Sequence, residues 1–216
     1  RSQLLQTPRA LDQVSAGAPK FDHALNTPVN WADDDAIELP STSHISIVDQ
    51  YGNALSMTTT IENGFGSRIM VRGFLLNNEM TDFSFRSHRD GVPIANRIEP
   101  GKRPRSSMAP TIVLKDGKPV LVIGSPGGSR IIGYVAKTII AHLDWGMDVQ
   151  SAIALPHLVN RFGLYDLEAD TFQTPLTEMG FEVNLRDLNS GLHAISIGDS
   201  LLGGADPRRE GLAIGE

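Results

Sequence analysis

Residues 38–66 read ELPSTSHISIVDQYGNALSMTTTIENGFG. Within this stretch, the alternating runs SHISIVD and ALSMTTTI flank the turn-like sequence QYGN, and this pattern predicts a β-hairpin. The hairpin carries several threonines, which fit a pleated sheet because they are β-branched. A second interpretation is that Thr42 is a latent N-terminus, which becomes free when the chain is cut in front of it. The rest of the sequence has to decide between a structural role and this chemical one.

The composition of the chain is typical of a globular protein, with 40% hydrophobic and 20% charged residues among 216. The net charge is −6 and no dense run of Lys and Arg occurs, so nucleic acid is not expected as a partner. Cysteine is absent, which excludes disulfides, a thiolate nucleophile and cysteine metal sites. No apolar stretch reaches the roughly 18 to 20 residues that span a bilayer, so no transmembrane segment is predicted. The first residues also lack the pattern of a signal peptide.

The residues that follow the hairpin alternate between strand-like and helix-like patterns. Another strand is predicted in RIMVRGFLLNN, and TIVLKDGKPVLVIG predicts a hairpin whose arms are covered on both faces. The run RIIGYVAKTIIAHLDWG has two adjacent apolar stripes and predicts a largely buried helix. Two short helices and two late strands, FEVNLR and HAISIG, complete an α+β arrangement. Residues 1–41 show no sustained period and read as an irregular segment.

A glycine pair, Gly127 and Gly128, lies in SPGGSR between the predicted buried strand and the long helix. Backbone N–H groups at such a turn stabilise anions, either a phosphate or the oxyanion of an acyl transfer. The Lys-Ser/Thr ending of a P-loop is missing, which argues against the phosphate. A tight strand-to-helix turn without chemical function is the other interpretation, and the sequence leaves it open.

Two further polar pairs stand at strand boundaries. Glu79 and Asp82 follow an apolar run in LLNNEMTDFSF, where they either bind a substrate ammonium group or form a solvated turn. Ser106 and Ser107 precede a strand in GKRPRSSMAPTIV, with three basic residues just before them. Hydroxyl groups and local positive charge suit a carboxylate ligand, although a polar loop entering a strand is the commoner case.

The usual catalytic signatures are missing from the sequence. It contains neither Gly-x-Ser-x-Gly nor His-Glu-x-x-His, and its six histidines are scattered singly, so no metal or other cofactor is expected. A nucleophile and a base must therefore come from another source. An N-terminal threonine supplies both, because its hydroxyl attacks while its own α-amine accepts the proton.

Taken together, the motifs resemble the small catalytic subunit of γ-glutamyltranspeptidases, which are N-terminal-nucleophile hydrolases. Five stretches occur in the family's order: TSHISIVDQYGNALSMTTTIENGFGS, GFLLNNEMTDFS, GKRPRSSMAPTIV, GSPGGSRII and GADPRREG. The resemblance covers about residues 42–216 and implies that residues 1–41 are the tail of the large subunit. The implied fold is a four-layer αββα sandwich, of which this chain supplies roughly the second half.

The resemblance also implies a role for each matching residue. Thr42 would cut the Ser41–Thr42 bond and then act as the N-terminal nucleophile, while Thr60 would orient it. For a bound γ-glutamyl group, the resemblance implies that Glu79 and Asp82 hold its α-ammonium. Ser106 and Ser107 would bind its α-carboxylate. The backbone amides of Gly127 and Gly128 would stabilise the oxyanion. Glu62 stands where well-studied relatives carry Asn near the substrate amino group, and its extra carboxylate either strengthens binding of the ammonium group or marks a different acyl group.

The implied activity is transfer or hydrolysis of γ-glutamyl amides such as glutathione, with the large subunit of the same precursor as partner. The segment SFRSHRDGVPIANRIEPGKRPR is short for a lid loop, which favours hydrolysis over transfer. Family members work in the periplasm, secreted, or on the cell surface. A related amidase, such as a glutaryl-cephalosporin acylase, and a non-catalytic or unprocessed scaffold remain the alternatives.

Overall fold

A computed structural model describes residues 9–11, 32, 41–161 and 163–215. The predicted irregular segment, residues 1–41, falls almost wholly outside these residues. Its character and the predicted domain boundary after residue 41 stay predictions. No helix among the described residues has both the length and the apolar character needed to cross a bilayer.

The described part of the chain contains both strands and helices, which confirms the α+β prediction. The strands are Thr42–Val48 (β1), Ala54–Thr60 (β2), Met70–Val71 (β3), Phe74–Leu75 (β4), His88–Arg89 (β5), Val92–Pro93 (β6), Thr111–Lys115 (β7), Lys118–Gly124 (β8), Leu158–Asn160 (β9), Tyr165–Leu167 (β10), Val183–Leu185 (β11), His193–Ile197 (β12) and Leu201–Ala205 (β13). The α-helices are Ile131–Leu143 (α1), Val149–Ala154 (α2) and Gln173–Glu178 (α3), and short 3-10 turns cover Glu79–Asp82, Gly128–Arg130 and Asp170–Phe172.

The central element is an antiparallel sheet in the order β13-β12-β8-β7. The predicted hairpin of β1 and β2 is confirmed, and it lies against β8 and β12 of this sheet. Side chains bridge the two layers: the Ser56 hydroxyl donates to the Ile123 carbonyl oxygen over 2.9 Å, and the Ser46 hydroxyl donates to that of His193 over 3.3 Å. The layer contacts fix the position of the hairpin, and with it the position of Thr42.

The hydrophobic core fills the space between the sheet and the helices. Leu121 and Ile123 of β8 are fully buried, and they pack with Tyr134 and Val135 of α1 and Ile153 of α2. Burial of such side chains is the main favourable term in folding. The end of β8 and the start of α1 are thus held rigidly, and the glycine pair lies between them.

Several predictions for individual elements were wrong. The run RIMVRGFLLNN is not one strand but the two short strands β3 and β4, because Arg72 and Gly73 both adopt positive φ and reverse the chain. The second apolar stripe of α1, which includes Ile132 and Ile140, is exposed instead of buried. Strand β8 is covered as predicted, but β7 lies at the sheet edge and leaves Leu114 exposed.

One face of the β1–β2 hairpin carries apolar side chains that nothing in the described residues covers. Two cross-strand pairs form it, and each of the four side chains is between 42% and 45% exposed: Ile45 with Met57, and Ile47 with Leu55. A contiguous apolar face of this kind usually marks an interaction site. We call it the open face of the hairpin.

Candidate functional site

Thr42 and Thr60 are directly opposite each other at the open end of the hairpin. The seven-residue strands and the turn at Gly52 set this register, so the first residue of β1 meets the last residue of β2. Side chains of a directly opposed pair lie on the same face of the sheet. The Thr42 hydroxyl accordingly donates a hydrogen bond to the Thr60 hydroxyl oxygen over 3.2 Å.

The Thr60 hydroxyl also contacts the peptide bond that precedes Thr42. It donates to the Ser41 carbonyl oxygen over 2.9 Å and accepts from the backbone N–H of Glu62 over 2.9 Å. With the bond from Thr42, the single donor and both acceptor positions of this hydroxyl are occupied. The Thr60 side chain is therefore fixed between a potential nucleophile and the carbonyl group that this nucleophile would attack.

A cleft opens beside the two threonines. All of the site residues predicted from the sequence line it except Ser41 and Gly127. Its lining consists of Thr42, Thr60, Glu62, Glu79, Asp82, Ser106, Ser107, Met108, Gly128 and Ile131. We call it the first cleft. Residues that are up to 89 positions apart in the chain thus meet at one place, as the resemblance implied.

Three carboxylates give the first cleft its negative charge. Burial, followed by the nearby Asp82, raises the pKa of Glu79 to about 7. One oxygen of Glu79, Oε1, is buried and has no hydrogen-bond partner among the described residues. Glu62 is 5% exposed, and Asn78 Nδ2 donates to its Oε2 over 2.7 Å. No residue of the lining is basic, so the charge of the cleft favours binding of a cationic group.

The glycine pair adopts backbone angles that other residues rarely reach. Gly127 has φ of 142° and Gly128 has φ of 58°. A Cβ atom on Gly127 would lie 2.7 Å from Cε2 of Tyr134, a contact too short for any real side chain. Backbone conformation and packing therefore both require glycine at position 127. Gly128 lines the first cleft, and Gly127 is the residue just before it.

The serine pair lies in the first cleft, but its basic neighbours in sequence do not. The Ser106 hydroxyl oxygen accepts from the backbone N–H of Met108 over 3.2 Å. Lys102 instead pairs with Glu99, 2.5 Å away, and donates to the carbonyl oxygen of Ala95. The loop thus directs Lys102 toward its own acidic partner, and none of the three basic neighbours is part of the lining.

A second cleft also borders the two threonines. It is lined by Ser41, Thr42, Ser43, Thr59, Thr60, Ile61 and Arg209. Sequence reasoning missed the contribution of Arg209, although GADPRREG was among the five recognised stretches. Neither spacing nor periodicity connects position 209 with position 42, so only the folded chain brings them together.

Behind the glycine pair, a buried polar network braces the start of α1. The Tyr134 ring packs on the His157 ring with 4.2 Å between centroids, and His157 Nε2 is 2.7 Å from the Ser190 hydroxyl. Ser190 in turn donates to Asp206, which pairs with Arg208 over 3.0 Å. His157 is fully buried, and this burial lowers its pKa to about 2. The imidazole is therefore neutral and structural.

The described residues contain no group of three or more His, Cys, Asp or Glu side chains that could hold a metal ion.

A strand that begins with a hydroxyl residue, packed on a second sheet and backed by helices, is the arrangement of N-terminal-nucleophile hydrolases, and the protein has this fold. The family model described as Gamma-glutamyltranspeptidase matches residues 5–216. The chain belongs to the gamma-glutamyltranspeptidase family.

Individual relatives agree with this assignment. The chain is 42% identical over 185 residues to the glutathione hydrolase proenzyme of Bacillus subtilis strain 168, covering 81% of this chain and 30% of that protein. It is similar to the crystal structure of a mutant of Helicobacter pylori gamma-glutamyltranspeptidase, with a TM-score of 0.70 and 36% identity over 77% of this chain and 99% of that one. It is also 42% identical over 135 residues to a putative inactive glutathione hydrolase 4 of Arabidopsis thaliana, covering 59% of this chain and 71% of that protein.

Proposed function

We propose that this chain is the catalytic part of a γ-glutamyl transferase and hydrolase that acts on γ-glutamyl amides such as glutathione. The observation that carries the proposal is the contact of Thr60 with both the Thr42 hydroxyl and the Ser41 carbonyl oxygen. The Bacillus subtilis relative is named a glutathione hydrolase proenzyme, which supports both the substrate class and a precursor. Because the chain spans 30% of the length of that relative, the activity belongs to the longer protein.

Maturation begins with an attack of the Thr42 hydroxyl oxygen on the carbonyl carbon of Ser41. Negative charge develops on the Ser41 carbonyl oxygen, and the Thr60 hydroxyl, 2.9 Å away, donates to it. The C–N bond breaks, the Thr42 amine leaves with a proton, and an ester forms between residue 41 and the Thr42 hydroxyl. Water then hydrolyses this ester, which frees both the α-amine and the hydroxyl of Thr42.

Turnover repeats the same chemistry on an external amide. The Thr42 α-amine accepts the proton of its hydroxyl as the oxygen attacks the γ-glutamyl carbonyl carbon. Backbone amides of Gly127 and Gly128 stabilise the oxyanion, a contribution of roughly 3 to 4 kcal/mol per donor. The C–N bond of the donor amide then breaks, and the departing amine takes the proton from the Thr42 α-amine, which leaves the γ-glutamyl ester of Thr42. This ester passes its acyl group to water or to an amine.

The first cleft recognises the γ-glutamyl group in this proposal. Its α-ammonium binds the carboxylates of Glu62, Glu79 and Asp82, and it supplies the partner that Glu79 Oε1 lacks among the described residues. Its α-carboxylate accepts hydrogen bonds from the hydroxyls of Ser106 and Ser107. A glutaryl group has no ammonium to offset three clustered carboxylates, so this cleft favours a γ-glutamyl donor over a glutaryl-cephalosporin.

The partner in this proposal is the preceding part of the same precursor, the large subunit, which remains bound after the cut. The open face of the hairpin, with its two apolar pairs, is available for that partner. Covering this face would remove apolar surface from water, which is the dominant driving force of most protein association.

The residues from 84 to 105 do not line the first cleft. Their absence from the lining supports the proposal that no lid covers the acyl-enzyme and that water competes well with amine acceptors. We expect product release from a γ-glutamyl donor to proceed without an added acceptor. A rate that depended almost wholly on added acceptor would contradict this expectation.

The decisive experiment is the intact mass and N-terminal sequence of the full-length protein after incubation at neutral pH. We expect a new chain that begins Thr42-Ser43-His44, absent in Thr42→Ala and retained in Thr42→Ser. The processed protein is then assayed with matched γ-glutamyl and glutaryl anilides. Precursor that stays uncut while folded would leave Thr42 without its amine and would favour the non-catalytic scaffold, while preference for the glutaryl anilide would favour the acylase alternative.

A further inference from the structure

Three arginines converge on one aspartate beside the start of α1. Arg130 donates two hydrogen bonds to Oδ2 of Asp166, from Nη2 over 2.7 Å and from Nε over 3.1 Å. Arg161 Nη2 is 3.7 Å from the same oxygen, and Arg186 Nη1 is 3.8 Å from Oδ1. We call these four residues the arginine cluster. With three positive charges and one negative charge, the cluster has a net charge of +2.

The small sheet of β9, β10 and β11 brings the cluster together. Asp166 lies in the middle strand, β10, where it is paired with Asn184 of β11. Arg186 comes two positions after Asn184 and therefore lies on the same face of the sheet. Arg161 comes just beyond the end of β9, at the opposite end of β10. These two arginines therefore flank Asp166, while Arg130 approaches it from the start of α1.

Asp166 is already satisfied without the two outer arginines, Arg161 and Arg186. Its Oδ2 accepts both bonds from Arg130, and its Oδ1 accepts from Asn184 Nδ2 over 3.3 Å. Burial alone would raise the pKa of Asp166, but the hydrogen bonds from Arg130 and Asn184 hold it below its usual value, so the carboxylate is ionised. The outer guanidiniums lie beyond hydrogen-bonding distance and interact with Asp166 through charge alone.

The outer guanidiniums have N–H groups left for another acceptor. Each carries five N–H donors. Among the described residues, the Arg161 guanidinium donates one hydrogen bond, from Nη1 to the Ser129 hydroxyl oxygen over 2.7 Å, and that of Arg186 donates none. Their side chains are 42% and 47% exposed, so a solute can reach both. Like charges held this close repel each other unless an anion comes between them.

We infer that the arginine cluster is a binding site for a small, doubly charged oxyanion of the phosphate or sulfate class, held between Arg161 and Arg186. One such ion balances the net charge of the cluster. Its oxygens accept hydrogen bonds from both forked guanidiniums, whose planar geometry matches phosphate. Asp166 stays bonded to Arg130 and limits the affinity, because its negative charge repels the incoming anion.

The anion site is separate from the first cleft. Gly128 and Ile131 line that cleft, whereas the two residues between them, Ser129 and Arg130, do not. Ser129 and Arg130 instead bond to members of the arginine cluster. Anion binding therefore requires neither self-cleavage nor a γ-glutamyl donor.

The test measures binding of inorganic phosphate to the full-length protein by isothermal titration calorimetry at constant ionic strength. The titration is run at about pH 8, where phosphate is doubly charged. We expect a dissociation constant on the order of 1 mM. Binding should be at least about tenfold weaker in the double variant Arg161→Gln/Arg186→Gln, because each charged hydrogen bond contributes about that factor. Nitrate, an oxyanion with one charge, should bind more weakly than phosphate.

Arg72→Gln is the matched control for the loss of positive charge. Arg72 is an exposed arginine in the turn between β3 and β4 and is not part of the cluster. Its replacement should leave the dissociation constant of phosphate unchanged. Equal affinity in the wild type and in the double variant, or an equal loss in Arg72→Gln, would overturn the inference.

Asp166→Asn should have the opposite effect on binding, because it removes the competing carboxylate. We expect phosphate to bind about tenfold more tightly to this variant. Phosphate should also raise its melting temperature more than that of the wild type, since a ligand stabilises the state that binds it. If the cluster only supported the fold, Asp166→Asn would be destabilised and phosphate would not restore it, which would contradict the inference.

A further measurement needs no variant and therefore does not depend on how the variants fold. Crystals of the full-length wild-type protein are soaked in selenate, and selenium is located by its anomalous scattering. We expect a selenium peak between Arg161 and Arg186. The absence of a peak there would overturn the inference and would favour an acidic side chain from another part of the precursor as the partner of these arginines.

Discussion

Thr60 connects the two reactions proposed for this protein. Its hydroxyl is bound by Thr42 and by the Glu62 amide, and it donates to the Ser41 carbonyl oxygen. Both acceptor positions are filled, so Thr60 cannot take a further proton in this arrangement without losing a contact. In maturation the Thr60 hydroxyl therefore donates a hydrogen bond to the developing oxyanion and holds the nucleophile in position.

Replacing Thr60 by Val keeps the shape of the side chain and removes its hydroxyl. We expect self-cleavage of the full-length Thr60→Val precursor to slow by roughly a hundredfold or more, which is the effect of losing one oxyanion donor. Thr60→Ser keeps the hydroxyl and should stay within about tenfold of the wild type. The measurement is the rate at which intact precursor disappears by mass spectrometry. Cleavage of Thr60→Val at the wild-type rate would contradict the role given to this hydroxyl.

Glu79 predicts a pH dependence of donor binding. Its pKa of about 7 means that the carboxyl group is mostly protonated below neutral pH and ionised above it. Since a substrate ammonium needs the ionised form, affinity should be present above about pH 7 and lost as the pH falls. From about pH 8 to about pH 6 we expect the inhibition constant of free glutamate to rise about tenfold.

Glutarate, which lacks the ammonium, is the control ligand for this titration and should not weaken in the same way. Glu79→Gln should remove most of the pH dependence of glutamate binding. The same raised pKa makes the folded state bind a proton more readily than the unfolded state. Folding stability should therefore fall as the pH rises from about 4.5, the ordinary pKa of glutamate, to about 7, and level off above it. Glu79→Gln should flatten that slope.

At the scale of single residues, the resemblance located almost the whole first cleft, since eight of the ten predicted site residues line it. It did not reveal that Arg209 lines the second cleft together with Thr42. Arg209 is held there by hydrogen bonds to Asn189 and by its close approach to Gly191. Long-range packing of this kind leaves no periodic signal in the sequence.

Among the elements, the turn from β8 to α1 is the one most tightly constrained. Its shape requires Gly127, whose φ of 142° excludes almost every other residue and whose Cα faces the Tyr134 ring. The strain of a non-glycine residue at such an angle is about 1 to 3 kcal/mol, before the clash is counted.

We expect Gly127→Ala to lower the melting temperature and to impair self-cleavage, because relief of the clash must move either the turn or Tyr134. Gly117→Ala is a suitable control, since Gly117 also has a positive φ of 78° but nothing lies within 4 Å of its added Cβ. That variant should lose stability from backbone strain alone and should cleave normally. Equal behaviour of the two variants in both thermal unfolding and cleavage would argue against a special role for the turn.

The elements themselves were predictable where the pattern was long and local. The hairpins β1–β2 and β7–β8 and the helix α1 follow from alternation and helical periodicity. Strands β9, β10 and β13 were not predicted. Strands β9 and β10 are only three residues long, and β13 has the sequence LLGGA, whose glycines disfavour a strand. Such segments are strands because of their neighbours, and tertiary contacts then outweigh weak local preference.

For the molecule as a whole, Arg208 is a main link between the C-terminal segment and the core. Arg208 binds Glu168 through two hydrogen bonds and Asp206 through one, and it also donates to the backbone oxygens of Ile153 and Leu155. Burial alone would raise the pKa of Asp206, yet Ser190, backbone amides and Arg208 together hold it below its usual value. The network therefore stabilises the fold above the ordinary aspartate pKa, and this stabilisation is lost as the pH falls.

Arg208→Met should cost about 3 to 5 kcal/mol, because it leaves Asp206 buried without its ion-pair partner. Thermal unfolding is measured on the full-length Thr42→Ala precursor, so that both proteins are single chains. Arg186→Met provides the comparison, since Arg186 is half exposed and 3.8 Å from Asp166. It should cost less than about 1 kcal/mol. A small effect of Arg208→Met would mean that the network contributes little to holding the C-terminal segment.

The register of the β1–β2 hairpin also determines whether self-cleavage can occur. A slip of one residue would turn Thr42 to the opposite face of the sheet and separate it from Thr60. A chain paired in that way would keep its peptide bond at Ser41 and would never acquire a reactive amine. Only correctly paired chains would then mature, so self-cleavage would report that the hairpin has folded in the right register.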